Sequence, residues 1–157
     1  MAMVCMSNMN RSMEAQSILE KKGFNVRSFG VGSCVTLPGL APSPWSMISP
    51  PHISRYARTF SSKTRYAIAA CTAPFDVIFT CAERVYKMVV KDLCDREQKT
   101  GQPVHVINLD IKDTLKAVSL GASIICELCQ GLQQADDTQS SLMTRKAKEF
   151  LHTVCFY

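Results

Sequence analysis

The stretch Met3-Val4-Cys5-Met6-Ser7-Asn8-Met9-Asn10-Arg11-Ser12 constrains this chain more than any other, because a short apolar run ends in a cysteine and a polar loop then leads into a helix. Cysteine and arginine stand in the C-x5-R relation. Five intervening residues can curl so that backbone N–H groups point inward at a tetrahedral oxyanion, with the sulfur below and a guanidinium at the rim. A helix beginning near Ser12 adds unpaired N–H groups and the positive end of its dipole, which favour bound phosphate and a thiolate alike. The spacing alone is a weak signal in a chain with eight cysteines, so the context has to carry it. Ser12 can donate a hydroxyl hydrogen bond to the thiolate, and Asn8 and Asn10 tolerate the left-handed backbone that a tight loop needs. This reading makes Cys5 the nucleophile, Met6, Ser7, Asn8, Met9, Asn10 and Arg11 the phosphate-binding loop, and Ser12 the thiolate's partner. The bland alternative is an inert, buried cysteine at a strand end.

Apolar positions Ala15, Ile18 and Leu19 recur at helical spacing over residues 12–22, with Gly23 as a left-handed stop, and residues 24–29 read as a second strand. A strand, loop, helix and strand make a βαβ unit, whose right-handed crossover implies a parallel sheet. Ligands of such sheets bind at the carboxyl ends of the strands, where Cys5 falls. Further strands are expected over residues 76–81 and 104–109, and an edge strand over 151–157. A helix over 83–94 should turn Val85, Met88, Val89 and Leu93 inward. A longer one over 114–132 is apolar nearly all round, through Leu120, Ile124, Ile125 and Leu128, and should be largely buried. Residues 136–141 form a polar break, and 142–150 allow one more helix. The expected fold class is α/β: three layers, a mainly parallel central sheet with helices on both faces, and the phosphate loop at the carboxyl end of the first strand. Four prolines between residues 42 and 51 exclude regular structure there, so about 43–72 reads as a loop or lid within one domain spanning 1–157.

A composition of 46% hydrophobic and 20% charged residues is ordinary for a globular domain of 157 residues. The start lacks a signal-peptide pattern, and the apolar stretches look short of the roughly 20 residues a membrane span needs. The expectation is a soluble, intracellular chain with reduced thiols and no membrane partner. A net charge of +5 modestly favours an anionic partner, but the basic residues are too dispersed to argue direct nucleic-acid binding. Cys126 and Cys129 have the C-x-x-C form inside an apolar helical run, without a second pair, and His52, His105 and His152 are scattered. Packing is the reading for that pair and for Cys81 and Cys94, and neither metal nor cofactor is expected.

Removing phosphate from serine through a cysteine needs an acid to protonate the leaving oxygen. Asp113 is the first candidate and Asp110 the second, both on the loop after the strand at 104–109. The competing role for either is to cap the helix that starts near Thr114, and spacing leaves the choice open.

Beyond the Cys5 loop, the stretches Arg27-Ser28-Phe29-Gly30, Thr80-Cys81-Ala82-Glu83-Arg84-Val85-Tyr86, Gln102 through Asp113, Ile125-Cys126-Glu127-Leu128-Cys129-Gln130 and Phe150-Leu151-His152-Thr153-Val154-Cys155-Phe156-Tyr157 closely resemble the suppressor-of-sua-seven phosphatases. The resemblance implies a low-molecular-weight tyrosine-phosphatase-like fold, a phosphocysteine intermediate, and removal of phosphate from Ser-Pro steps of the RNA polymerase II C-terminal-domain repeats, with the peptide bond before proline in cis. It also implies a nuclear setting and a symplekin-type scaffold of RNA 3′-end processing as partner. Carried over by position, it makes Cys5 the nucleophile, Arg11 the phosphate clamp, Ser12 the thiolate partner and Asp113 the general acid. Val35, Leu37 and Pro38 match a loop lining the peptide groove, with Thr36 in place of a lysine; residues 43–72 do not match. A non-catalytic relative that binds the scaffold or polymerase tail is the alternative of a different class.

Overall fold

A four-residue strand can hold the centre of a sheet only if both of its edges are paired. In the computed structural model, which describes residues 1–31, 68, 71–97, 100–134 and 150–157, this holds for β1 (Ala2–Cys5), buried throughout. Parallel strands flank it: β2 (Arg27–Gly30) with Ala2 opposite Arg27, and β3 (Val77–Thr80) with Ala2 opposite Ile78. β4 (Pro103–Asn108) continues the parallel run, and β5 (Leu151–Phe156) closes the edge antiparallel to it. Among the described residues the strands form one sheet in the order β2-β1-β3-β4-β5. The helices are α1 (Arg11–Lys21), α2 (Glu83–Asp95) and α3 (Leu115–Gln133).

Side chains alternate across a strand, and the two faces carry two cores. Met3, Cys5, Phe79, Cys81 and Ile107 pack against α1 and α3. Ala2, Val4, Ile78, Val104 and Val106 pack against α2 through Val85, Val89 and Leu93. The three-layer α/β architecture with a mainly parallel sheet is therefore as expected.

Details differ from expectation for physical reasons. The second strand starts at Arg27 rather than residue 24; ahead of it, contact with the neighbouring segment is limited to single bonds, the Met1 N-terminus donating to the Asn25 carbonyl at 3.1 Å and the Arg27 N–H to the Met1 carbonyl at 3.2 Å. The Phe24 N–H turns back instead to the Leu19 carbonyl at 3.1 Å, after Gly23 at φ +84° has closed α1 in the left-handed conformation. Met88 is exposed rather than inward; Val85, Val89 and Leu93 define the buried stripe, and Met88 lies about 100° of helix rotation from its centre. In α3 the expectation of burial nearly all round fails at Leu115 and Leu120, which are exposed, while Val118, Ala122, Ile125 and Leu128 are buried. By length and composition this 19-residue helix could also span a membrane, contrary to the sequence reading, yet its buried face packs on the sheet as a core helix does. Cys126 and Cys129 are buried and pack as expected, whereas Cys94 is exposed. His105 and His152, scattered in sequence, stack across β4 and β5 with Nδ1 and Nε2 3.1 Å apart. Residues 136–149, and 43–72 apart from Ile68, Cys71 and Thr72, lie outside the described residues.

Candidate active site

The parallel strands bring their carboxyl ends to one edge, where Cys5 ends β1, Cys81 follows β3 and residues 109–114 follow β4. Cys5 is buried, and its Sγ lies 3.0 Å from the Oγ of Ser12, itself fully buried in the first turn of α1. The same hydroxyl donates to Asn8 Oδ1 at 2.8 Å. A serine hydroxyl has one proton to give, so with Cys5 ionised that proton is drawn to sulfur and Asn8 must give up its share. Asn8 holds the left-handed backbone that the loop requires, at φ +50°. Asn10, read as a second left-handed candidate, is at φ −92° as the N-cap of α1.

The loop rests on Gly30 at the end of β2. A side chain there would start 3.3 Å from the Asn8 nitrogen and from the Met6 carbonyl, tight enough that the loop would have to give by a few tenths of an ångström. Asn8 Nδ2 donates to the Ser28 carbonyl at 3.3 Å, and Met9 is buried beneath the loop. Asn10 does not use its side chain to cap α1. Its amide donates to Asp113 Oδ1 at 3.2 Å instead, tying loop to opposite rim.

Arg11 Nη1 donates to the carbonyls of Cys81, at 3.4 Å, and Ile111, at 3.3 Å. Two backbone acceptors from different loops thus hold the guanidinium beside the phosphate loop. The two candidate acids part company here. Asp110 Oδ1 accepts the first N–H of α2, from Glu83, at 2.8 Å, and the Asn108 amide at 3.2 Å; Asn108 Oδ1 in turn accepts from the buried Thr80 hydroxyl at 2.9 Å. Neither aspartate caps α3, since Thr114 does so with its own oxygen, accepting from the Ala117 N–H at 3.4 Å. Asp113 is exposed, so the described residues do not supply the partial burial expected of an acid held protonated. Val35, Thr36, Leu37 and Pro38 lie outside the described residues.

Sequence reading missed Asn10 as the partner of Asp113, Gly30 as the floor of the loop, and the position of Cys81 beside Cys5. Burial raises the pKa of the Cys81 thiol, the negative charge of Cys5 raises it further, and Arg11 acts in the opposite direction.

A family profile described as Ssu72-like protein matches residues 1–61 and 51–157. The two stretches meet inside the segment that departs from the resemblance. A human RNA polymerase II C-terminal domain phosphatase, SSU72 like protein 6, is 49% identical over 192 aligned positions, covering 99% of this chain and 96% of the relative. Since 192 positions are laid on 157 residues, at least 35 positions of the alignment have no counterpart here. The crystal structure of the Drosophila melanogaster serine phosphatase of the RNA polymerase II CTD, of the SSU72 superfamily, superposes with a TM-score of 0.79 at 33% identity, covering 99% of this chain and 98% of that one. Drosophila Ssu72 with Symplekin, bound to a cis peptidomimetic CTD phosphoserine peptide, superposes at 0.78 with 31% identity, covering 99% and 97%.

Proposed function

The chain belongs to the Ssu72-like protein family, and from that premise we propose that it is a cysteine-dependent protein serine phosphatase acting on Ser-Pro steps of the RNA polymerase II C-terminal-domain repeats. The observation that carries the chemistry is the Cys5 sulfur 3.0 Å from the buried Ser12 hydroxyl, in a loop that runs to Arg11 and is bonded through Asn10 to Asp113. The Cys5 thiolate attacks phosphorus in line, and the serine oxygen departs with a proton from Asp113. Arg11 and the loop N–H groups hold the equatorial oxygens, whose charge they stabilise more as the transition state forms. Water then attacks the phosphocysteine, Asp113 takes its proton, and Ser12 stabilises the departing thiolate. The alternative acid, Asp110, is occupied at the start of α2. A phosphorylated chain lying over the rim would cover Asp113 and supply the burial that the described residues do not.

No metal or cofactor enters this mechanism. The setting is nuclear, in transcription and RNA 3′-end processing, with a symplekin-type scaffold as partner and the whole chain as one domain. Val35, Thr36, Leu37 and Pro38 are the peptide-binding residues of this reading, by their match to a loop that lines the groove in the family. With about 35 aligned positions absent and residues 43–72 unlike the family, peptide preference in this reading is weaker than generic phosphatase chemistry. The test compares hydrolysis of an aryl phosphate with that of a phosphoserine-proline repeat peptide, in the parent and in Cys5→Ser. The variant is expected to lose turnover and keep phosphate binding; hydrolysis at a parental rate would refute the covalent mechanism.

A further inference from the structure

The proposed chemistry uses Cys5 and leaves a second buried thiol beside it unused. Cys81 lies one residue past the end of β3, and the register ends with Val4 opposite Thr80, so one further step along both chains would bring Cys5 opposite Cys81. The Cys81 N–H donates to the Val4 carbonyl at 3.1 Å, the bond that closes the Val4–Thr80 pair and holds Cys81 beside the end of β1. Hydrogen-bonded strands lie about 4.8 Å apart, within the roughly 4.4–6.8 Å spanned by the Cα atoms of a disulfide. Both side chains belong to the core under α1 and α3, whereas Val4 belongs to the core under α2.

Most other described cysteines are placed elsewhere. Cys129 Sγ touches Met1 Sδ at 3.6 Å, at the opposite end of β1 and so about 13 Å of strand away. Cys71 and Cys155 pack on the α2 side, and Cys94 is exposed on α2. Cys126 shares the core with Cys5 but sits on α3, one turn from Cys129, with no backbone pairing to hold it opposite Cys5.

From this geometry we infer that Cys81 is a resolving cysteine for Cys5: a hydroperoxide oxidises the Cys5 thiolate, and Cys81 captures the product as a Cys5–Cys81 disulfide that switches the enzyme off reversibly. In the first step the Cys5 sulfur attacks a peroxide oxygen and the O–O bond breaks. Sulfur is oxidised by two electrons to the sulfenic acid, and the other oxygen leaves as hydroxide. In the second, the Cys81 sulfur attacks the Cys5 sulfur, the S–O bond breaks, and the Cys81 proton leaves with the hydroxyl as water. The first step removes the negative charge of Cys5, one of the causes that keep Cys81 protonated, so oxidation of one thiol readies the other. A dithiol reverses the switch by exchange, becoming a disulfide itself. Without Cys81 the sulfenic acid is open to further oxidation to the sulfinic acid, which thiols do not reduce.

The inference rests on Cys5 being the reactive thiol of the proposed function, and the test separates the two. The full chain is treated with hydrogen peroxide, its free thiols are alkylated, and the products are mapped by mass spectrometry. Hydrolysis of an aryl phosphate is followed before oxidation, after it, and after dithiothreitol. Activity before oxidation reports on the proposed function; the map reports on the disulfide whether or not the chain turns over. The expected result is a mass loss of about 2 Da, a Cys5–Cys81 cross-linked peptide as main product, and lost turnover that dithiothreitol restores. In Cys81→Ser the same dose should leave Cys5 as sulfinic or sulfonic acid, without recovery relative to that variant's own starting rate. If the variant does not fold, the parent's map decides alone. Cys5 joined to Cys126 or to any other thiol, Cys5 overoxidised in the parent, or Cys5 left untouched by peroxide overturns the inference.

Discussion

Gly121→Ala is expected to damage turnover far more than folding. A methyl group at Gly121 would lie 2.5 Å from Ile111 Cδ1, 2.6 Å from Cγ1 and 3.2 Å from Cγ2. Both branches of the isoleucine are involved, so turning its side chain exchanges one clash for another. Ile111 is buried and pinned by its backbone, its N–H donating to the Cys81 carbonyl at 3.2 Å and its carbonyl accepting from Arg11 at 3.3 Å. Carbon atoms in comfortable contact sit about 3.5–4.0 Å apart, so α3 and the 109–114 loop must separate by on the order of 1 Å. Overpacking costs about 1–3 kcal/mol, offset by about 1 kcal/mol from replacing glycine with alanine in a helix, leaving a net loss between zero and about 2 kcal/mol. The same displacement passes into the Arg11 clamp and into Asp113, two residues beyond Ile111, where misplacement by about 1 Å can cost roughly 10²-fold in rate. Urea unfolding gives the first quantity and kcat on an aryl phosphate the second. Adding Ile111→Ala should relieve the clash, with a favourable coupling of about 0.5–3 kcal/mol in a double-mutant cycle. If Gly121→Ala is about 1 kcal/mol more stable than the parent and turns over at the parental rate, α3 does not wedge the loop and the reasoning fails.

Asp113→Asn should slow phosphoserine-peptide hydrolysis by about 10²–10⁴-fold while affecting an aryl phosphate much less, because an aryl oxygen departs without a proton. Asp110→Ala should instead lower stability by about 0.5–2 kcal/mol by removing the acceptor at the start of α2, with leaving-group preference unchanged; the reverse pattern would exchange the two assignments. Ser12→Ala removes a hydrogen bond to a charged sulfur, worth about 1.5–3 kcal/mol, so breakdown of the phosphocysteine should slow by roughly 10- to 150-fold, and an unchanged single-turnover rate would exclude that role. Burial lowers the pKa of His152, and the adjacent His105 lowers it further. Below about pH 6.5 the unfolded chain then holds more protons than the folded one, so this histidine's contribution to stability is present above that pH and lost as pH falls. His152→Gln should flatten the fall of the urea midpoint between about pH 7 and 5, and an undiminished slope would refute the assignment.

Features that neighbours along the chain decide were legible in the sequence. The C-x5-R loop, the left-handed Asn8, the helix with its Gly23 stop and the short apolar runs of the strands all depend on contacts within a few residues, where propensity and period speak directly. Ser12 belongs with them, because the first turn of a helix brings it back to the cysteine seven residues earlier. Other features depend on groups far apart in the chain, and folding alone brings these together. Asp110 and Asp113 differ by three positions and share a residue type, and what separates them is which distant group each meets: the start of α2 for one, and Asn10, 103 residues away, for the other. Leu120 and Val118 are equally apolar in sequence, and packing against the sheet buries only the second. Where the second strand begins is decided by its pairing with β1, and the nearness of Cys81 to Cys5 by the register of β1 on β3. Register and helix docking are set by many weak contacts closed over long loops, and no local pattern encodes which residue will stand opposite which.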